Sequence, residues 1–79
     1  MWKETKEGLE AEFEFEDFVE AFSFMTRVAG IAEEQQHHPE WFNVYNKVHI
    51  RLRTHDANNN ITEKDRRLAA AIDALRACN

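Results

Sequence analysis

The sequence predicts an α+β fold, a four-stranded antiparallel sheet with two helices packed on one face, in the order β-β-α-β-β-α. Residues 9–15 and 48–54 alternate apolar and polar side chains, as a half-buried strand requires, because successive side chains point to opposite faces. The segments after Asp17 and Thr62 instead repeat apolar residues every three or four positions, which is typical of an amphipathic helix. Two hairpins and two such helices are packed most economically when both helices cover one sheet face.

The first hairpin is predicted around Gly8. Lys6-Glu7-Gly8 is a turn signal, since glycine adopts a positive φ at no steric cost. The turn joins residues 2–5 to the alternating strand 9–15. The side chains expected to face the core are Leu9, Ala11, Phe13 and Phe15, and those expected to face outward are Glu10, Glu12 and Glu14.

The first helix is predicted to begin after Asp17 and to end near Gln36 or His37. Asp17 can cap the helix N-terminus through its side chain, and Glu20 stands three residues later, as in a capping box. Pro39 ends the helix because it disfavours the α conformation for the residue before it. The apolar stripe is expected to consist of Phe18, Phe22, Met25, Ala29 and Ala32.

The second hairpin is predicted from residues 41–45 and 48–54, with a turn at Asn46-Lys47. The inward residues are expected to be Val48, Ile50 and Leu52, and the outward ones His49, Arg51 and Arg53. The two arginines could pair with glutamates across a subunit boundary. Perfect alternation would also turn His55 outward, so either the strand breaks near Thr54 or the site opens at the sheet's edge.

The last helix is predicted to begin with a Thr62 cap followed three residues later by Asp65. Its apolar stripe is expected to be Leu68, Ala71, Ile72 and Leu75.

Composition limits the classes of protein that are compatible with the sequence. Seventy-nine residues form one domain, and a net charge of −5 disfavours a nucleic-acid-binding surface, which is normally basic. No apolar run approaches the length of a membrane span. The single cysteine, Cys78, cannot form an internal disulfide, so a reducing, cytoplasmic location is expected.

All four histidines lie between His37 and His55, which invites an acid–base interpretation. A metal site is disfavoured, because Glu33 and His37 share a helix face but no second matched pair exists. Nucleophilic catalysis is disfavoured too, since Ser23 has no spaced base and Cys78 is near the end. Two interpretations stay open: general acid–base catalysis by His37, His38 and His55, or ordinary capping and surface roles for them. The fourth, His49, is interpreted as a solvated or interface side chain.

The run His37-His38-Pro39-Glu40-Trp41-Phe42-Asn43-Val44-Tyr45-Asn46-Lys47-Val48-His49-Ile50, followed by Thr54-His55 and Asp65, closely resembles the pterin-4a-carbinolamine dehydratase family. That family is also known as the dimerization cofactor of a homeodomain transcription factor. Residues 22–29 and 61–65 are similar to the family as well, so the resemblance extends over nearly the whole chain. Residues 1–79 would be a single domain of this family, without the extra helix that usually precedes the position of Trp2.

The resemblance implies a lyase reaction, the dehydration of 4a-hydroxytetrahydropterin to quinonoid dihydropterin in tetrahydrobiopterin recycling, with no metal and no organic cofactor. His37 and His55 would be the acid–base pair, while His38 would hold the ring and assist. Glu33 would orient the site and stabilise charge, and Asp65 would complete the motif. The residues expected to line the pterin pocket are Gln36, His37, His38, Pro39, Thr54, His55, Asp56 and Trp2.

The resemblance also implies partners. The family is a tetramer built as a dimer of dimers, so a homodimer or homotetramer is expected. The alternative function is a coactivator that binds a homeodomain transcription factor, with a nuclear location in a eukaryote, or a pterin-binding partner of an aromatic amino acid hydroxylase. No membrane or direct nucleic-acid contact is expected. The loop 58–60, one residue longer than in close relatives, is expected to shift His55 slightly relative to Asp65, and Lys64 replaces an arginine of some relatives.

Overall fold

The structure is a computed structural model that describes residues 2–77, the last of them by its backbone alone. Four antiparallel strands form one sheet in the order β1-β2-β4-β3. The elements are β1 (Lys3–Thr5), β2 (Gly8–Glu14), α1 (Phe18–Gln35), β3 (Glu40–Val44), β4 (Lys47–Leu52), a 3₁₀ turn (His55–Ala57) and α2 (Glu63–Ala77). The predicted fold class and element order are confirmed, whereas the prediction for Cys78 falls outside the described residues.

The turn of the first hairpin requires Gly8, as the sequence predicted. Its φ is +140°, a value that side chains with a Cβ rarely adopt. A Cβ at this position would also lie 2.6 Å from the carbonyl oxygen of Leu52. Glycine therefore allows the hairpin to cross closely over the end of β4.

The core lies between one sheet face and the two helices. Both alternating strands point their predicted apolar residues inward, and the ring of Phe24 packs against Phe13 and Phe15 with centroid distances of 5.1 and 4.9 Å. The buried apolar side chains are Leu9, Ala11, Phe13, Phe15, Ala21, Phe24, Val28, Ala32, Val48, Ile50, Leu52, Leu68, Ala69 and Ile72. Burying this set is the main favourable contribution to folding, because apolar burial dominates the stability of small domains.

The predicted apolar stripe of α1 is confirmed at Ala32, which is buried, and at Met25, which packs against the core, but is wrong at its other positions. Phe18 and Phe22 are 46% and 54% exposed, and their rings contact each other instead of the sheet. The buried face begins instead at Ala21 and Phe24, because Phe24 packs against the ring of Phe13 in β2 and that of Phe15 just after it. The helix thus carries two apolar faces, and the observed buried set is Ala21, Phe24, Val28 and Ala32.

The predicted start of α1 is confirmed with one difference. The Asp17 side chain accepts a hydrogen bond of 2.9 Å from the backbone N–H of Glu20. The Glu20 carboxylate, however, accepts from the N–H of Glu16, at 2.9 Å, and not from that of the capping residue. The capping pair is therefore shifted by one residue from the usual capping box.

The outer sheet face carries charged side chains that pair within the chain. Glu10 accepts hydrogen bonds from Thr5 at 2.6 Å and pairs with His49 at 2.7 Å, and these contacts lower the pKa of the Glu10 carboxyl. Arg51 lies 3.3 Å and Arg53 2.8 Å from carboxylate oxygens of Glu40. Both arginines thus have partners in their own subunit, where the sequence had suggested glutamates across a boundary.

Neither helix of residues 2–77 is long and apolar enough to cross a membrane.

Candidate active site

The end of α1 places the two adjacent histidines. Gln36 adopts a left-handed conformation with φ 55°, and the N–H of His37 donates to the carbonyl of Ala32 at 3.0 Å. This is a common way to end a helix, because it satisfies carbonyls of the last turn. The predicted end is confirmed, but His37 and His38 follow the last helical turn and do not lie on it.

The start of α2 places Asp65 in the interior. Its carboxylate Oδ2 accepts a 2.8 Å hydrogen bond from the backbone N–H of Thr62, in the manner of a capping box. The Thr62 hydroxyl in turn accepts from the N–H of Lys64 at 3.3 Å. Asp65 is fully buried, so these helix-start contacts fix a carboxylate inside the protein.

His37 and Asp65 form the buried centre of the site. The His37 Nε2 lies 2.6 Å from Asp65 Oδ1, and the histidine itself is buried. An ionised carboxylate can only accept, so Nε2 must carry the proton in this pair. The other ring nitrogen, Nδ1, is then the atom of His37 that can exchange a proton. An aspartate in this position holds the imidazole in one tautomer and stabilises the imidazolium when it forms.

Thr54 connects this pair to the end of β4. Its hydroxyl donates to Asp65 Oδ2 at 2.9 Å, and it lies 2.6 Å from the Thr62 hydroxyl. Because Thr54 has a single hydroxyl proton, it must accept from Thr62. The resulting chain of hydrogen bonds runs from Thr62 through Thr54 to the carboxylate that faces His37. Such a fully satisfied buried network makes the position of each member specific.

His55 lies just beyond the end of β4. The strand ends at Leu52 and His55 opens the 3₁₀ turn, as one of the two alternatives required. The inward–outward alternation nevertheless continues, since Thr54 is buried and His55 is exposed beside Glu40 of the outer sheet face. The loop of residues 58–60 folds back onto this point, because the Thr54 N–H donates to the Asn60 carbonyl at 3.0 Å.

His55 contacts a carboxylate that sequence reasoning missed. Its side chain is 67% exposed, and its Nε2 lies 3.3 Å from Glu40 Oε2. The same carboxylate accepts from Arg53 Nε at 2.8 Å and from Arg51 Nη1 at 3.3 Å. The hydrogen bond from Arg53 lowers the pKa of the Glu40 carboxyl, so it stays charged near neutral pH.

Glu33 contacts His38. The sequence spacing had instead predicted that Glu33 lies on the same helix face as His37. His38 Nε2 lies 2.9 Å from Glu33 Oε1, and this contact lowers the pKa of the Glu33 carboxyl. The expected one-turn spacing fails because Gln36 reverses the chain before His37. Both side chains are exposed, so this pair lies at the solvent side of the site.

Some of the other residues predicted to line the pterin pocket lie near the histidines, and one lies elsewhere. Thr54 and Asp56 line an open depression between the 3₁₀ turn and the start of α2. The Gln36 side chain donates to the carbonyl of Glu33 at 2.8 Å, and Pro39 is half-buried beside the histidines. Trp2 lies at the middle of α2, where its indole N–H donates to Asp73 at 3.0 Å. Its role at the edge of the site stays a prediction.

Two further contacts of the site were missed in different ways. Thr62 was visible as a helix cap, yet its hydroxyl bond to Thr54 depends on how the loop folds back. Glu40 gave no local signal, because its partners come from the register of β3 on β4. Within residues 2–77, no group of three or more His, Cys, Asp or Glu side chains is arranged to hold a metal ion.

Comparison with known proteins identifies the family to which this chain belongs. The sequence profile of the family described as "Pterin 4 alpha carbinolamine dehydratase" matches residues 1–75. The chain therefore belongs to the pterin-4a-carbinolamine dehydratase family.

Individual relatives agree with this assignment. A protein of Paraburkholderia xenovorans (strain LB400), provisionally named pterin-4-alpha-carbinolamine dehydratase, is 58% identical over 72 residues, covering 91% of this chain and 74% of its own. A protein of Christiangramia forsetii with the same provisional name is 53% identical over 74 residues, covering 94% and 75%.

Two solved structures share the fold. A transcriptional coactivator/pterin dehydratase from Brucella melitensis superposes with a TM-score of 0.85 at 43% identity, covering 92% of this chain and 79% of its own. A pterin dehydratase-like protein, described as a RuBisCO assembly factor in the alpha-carboxysome, gives 0.78 at 27% identity, covering 94% and 87%. Structures of this fold are thus described with catalytic and with non-catalytic roles.

Proposed function

We propose that the protein dehydrates 4a-hydroxytetrahydropterin to quinonoid dihydropterin and water by general acid–base catalysis. The observation that carries the proposal is the buried contact of 2.6 Å between His37 and Asp65, in a chain that belongs to this family. A protein that only binds partners does not need a buried carboxylate to fix the tautomer of a histidine. In a cell the reaction would regenerate the pterin cofactor of aromatic amino acid hydroxylases.

The reaction needs only modest help from a catalyst. The bond between C4a and the hydroxyl oxygen breaks, the hydroxyl leaves as water after gaining one proton, and N5 loses one proton as the C4a=N5 double bond forms. No proton is gained or lost overall. The neighbouring nitrogen already pushes the hydroxyl out, so one group that donates and one that accepts a proton suffice. Each such positioned group typically contributes about 10²–10⁴-fold in rate.

In this proposal the two groups come from different segments of the chain. We assign the acid–base pair to His37 and His55, with proton exchange on His37 at Nδ1 because its Nε2 faces Asp65. His38, held by Glu33 at 2.9 Å, would contact the pterin ring from the solvent side. The remaining lining residues of the proposed pterin pocket are Gln36, Pro39, Thr54, Asp56 and Trp2.

An assay with freshly generated substrate tests this proposal. A phenylalanine hydroxylase produces the 4a-carbinolamine, and formation of the quinonoid product is followed by absorbance with and without this protein. We expect acceleration by the wild type and none by a His37→Ala/His55→Ala variant. The control is His49→Ala, which alters the histidine on the outer sheet face and should keep full activity. The proposal would be refuted if the double variant accelerated product formation as much as the wild type, or if the wild type did not accelerate it.

We also propose that the protein forms homodimers or homotetramers. Two exposed apolar patches support this: one on α1 and one at β3, an edge strand of the sheet. Exposed apolar groups of this kind are typical of interaction surfaces. The α1 patch consists of Phe18, Val19 and Phe22, and the β3 patch of Phe42, Val44 and Tyr45.

Light scattering after size exclusion tests this assembly. Phe22→Asp should lower the molar mass relative to the wild type, because a charge would be buried at the contact. Glu34→Ala, at the exposed C-terminal part of the same helix, should leave the mass unchanged. A wild type that is monomeric at micromolar concentration would contradict the proposal.

A second candidate function, partner binding, rests on the same α1 patch and on the coactivator description of the Brucella structure. The two candidates separate in the assay above. A chain that acts only through partners would show no dehydratase activity and would lose partner binding in Phe22→Asp.

A further inference from the structure

We propose that Glu40 is a positioning residue for His55, and that Arg53 and Arg51 in turn hold Glu40. Glu40 lies within the motif but is not among the site residues that the resemblance implies, and the effect of this assignment on rate rests on the proposed dehydratase function. The contact between Glu40 and His55 is a property of the protein alone and is measured without any substrate.

The register of the sheet builds the arrangement. Glu40 stands opposite Arg51 in the β3–β4 pair, so both side chains leave the same outer face. Arg53, two residues further along the chain, reaches the same carboxylate. Glu40 Oε2 therefore accepts from Arg53 Nε at 2.8 Å while it lies 3.3 Å from His55 Nε2.

The two arginines make the Glu40 carboxylate a fixed point. Arg53 is one of the less exposed charged side chains of this face, and it holds Oε2, while Arg51 holds Oε1 at 3.3 Å. A carboxylate held by two guanidinium groups stays ionised and loses much of its rotational freedom. His55, by contrast, sits on a short 3₁₀ turn with its ring largely in solvent. The ordered carboxylate thus restrains the more mobile imidazole.

Glu40 also joins the two halves of the site. Its backbone opens β3 only two residues after His38, whereas its side chain contacts His55. Glu40 thus links the two segments on the outer side, in addition to the inner link from Thr54 through Asp65 to His37. Positioning of this kind matters for rate, because a displacement of about 1 Å at a reacting group can cost up to about 10²-fold.

Each of the three site histidines then has a carboxylate at its Nε2. The Nε2 atoms lie 2.6 Å from Asp65 in His37, 2.9 Å from Glu33 in His38 and 3.3 Å from Glu40 in His55. An ionised carboxylate can only accept, so the hydrogen-bonded rings of His37 and His38 carry a proton on Nε2 and leave Nδ1 to face other groups, whereas the contact of His55 with Glu40 is an ionic one at 3.3 Å. Glu40 is the member of this set that lies outside the residues expected from the family resemblance.

Two substitutions each remove the ionic contact with His55, one by neutralising the carboxylate and the other by shortening the side chain. Glu40→Gln keeps the size of the side chain but removes the charge. Glu40→Asp keeps the charge beside the arginines but withdraws the carboxylate by one methylene, so that the contact with His55 is lost. Glu12→Gln is the matched control, because Glu12 is an exposed glutamate on β2 outside this network.

The first measurement is the mobility of the His55 ring, from ¹³C relaxation of its ring carbons in the free protein. We expect an ordered ring in the wild type and in Glu12→Gln, and a mobile ring in both Glu40 variants. Equal ring order in the wild type and both Glu40 variants would overturn the assignment. Urea unfolding confirms that the compared variants are folded.

The second measurement is steady-state kinetics in the dehydratase assay. We expect kcat to fall about tenfold in both Glu40 variants, with KM changed less than about twofold, because orientation and not binding is lost. A mobile ring with an unchanged kcat would also overturn the assignment. An inactive wild type would instead refute the dehydratase proposal, and the ring mobility would still decide whether Glu40 holds His55.

Discussion

Replacing Asp65 with asparagine should separate the chemistry of the site from its shape. The side chain is fully buried and accepts from His37 Nε2, Thr54 Oγ1 and the Thr62 N–H. Asparagine has the same outline but a single acceptor oxygen. That oxygen would stay with Thr54 and Thr62, so the amide NH₂ would face His37. Nε2 would then have to accept, and the proton would move to Nδ1.

The expected magnitudes follow from these contacts. Asparagine keeps these contacts as neutral hydrogen bonds, which are about half as strong as those to a charged carboxylate, so the free energy of unfolding should fall by about 2 kcal/mol at this fully buried position. For a domain of this size, a loss of about 2 kcal/mol lowers Tm by about 8–16 °C. The rate should fall by about 10²-fold or more, because the Nδ1 of His37 no longer accepts a proton.

Thermal unfolding and the dehydratase assay measure both effects on one sample. The matched control is Asp17→Asn, at the start of α1 and away from the site, where an exposed carboxylate accepts from the backbone N–H of Glu20. It should cost less than about 1 kcal/mol and leave kcat unchanged, as surface contacts do. An Asp65→Asn protein with full activity would refute the tautomer argument, even if its Tm fell as expected.

Further predictions concern stability. Gly8→Ala should destabilise by more than about 1 kcal/mol in urea unfolding, since φ is +140° and the added Cβ meets backbone at 2.6 Å. Gly30→Ala, where nothing lies within 4 Å of the new Cβ, should instead stabilise by about 0.5–1 kcal/mol, and the reverse order of the two would contradict the model of the hairpin. Folding lowers the pKa of Glu10, Glu33 and Glu40 from the ordinary value of 4.5, so their stabilisation is present above that value and is lost as pH falls through the lowered values. The urea concentration at the unfolding midpoint should decrease as the pH is lowered from about 5 to about 3, and it should decrease less steeply in Glu40→Gln. An equal slope in the two proteins would show that Glu40 contributes nothing to this pH dependence.

The parts of the fold that local patterns determine were predictable from the sequence. The alternation in β2 and β4 correctly predicted which side chains face inward. Gly8 correctly predicted the turn, and Asp17 the start of α1. Thr62 gave the start of α2 in the same way. Each of these depends on residues within a few positions along the chain.

The parts that failed depend on distant contacts. α1 has two apolar faces, and only the packing of Phe24 on the β2 rings decides which one is buried. Helical spacing predicted that Glu33 and His37 share a face. Because Gln36 adopts a left-handed conformation and reverses the chain, Glu33 instead contacts His38. Glu40 is visible as a partner of His55 only once the β3–β4 register is known.

The central claim is that His37 and His55, from two different segments, act on one substrate molecule. The most direct test is the rate of carbinolamine dehydration by the wild type, His37→Ala, His55→Ala and the double variant, each compared with the uncatalysed rate. Groups that work as a unit are strongly non-additive. Each single variant should therefore lose about 10²-fold or more, and the double variant should be little worse than the more impaired single one. Losses that multiply, or a single variant with the activity of the wild type, would contradict a shared site.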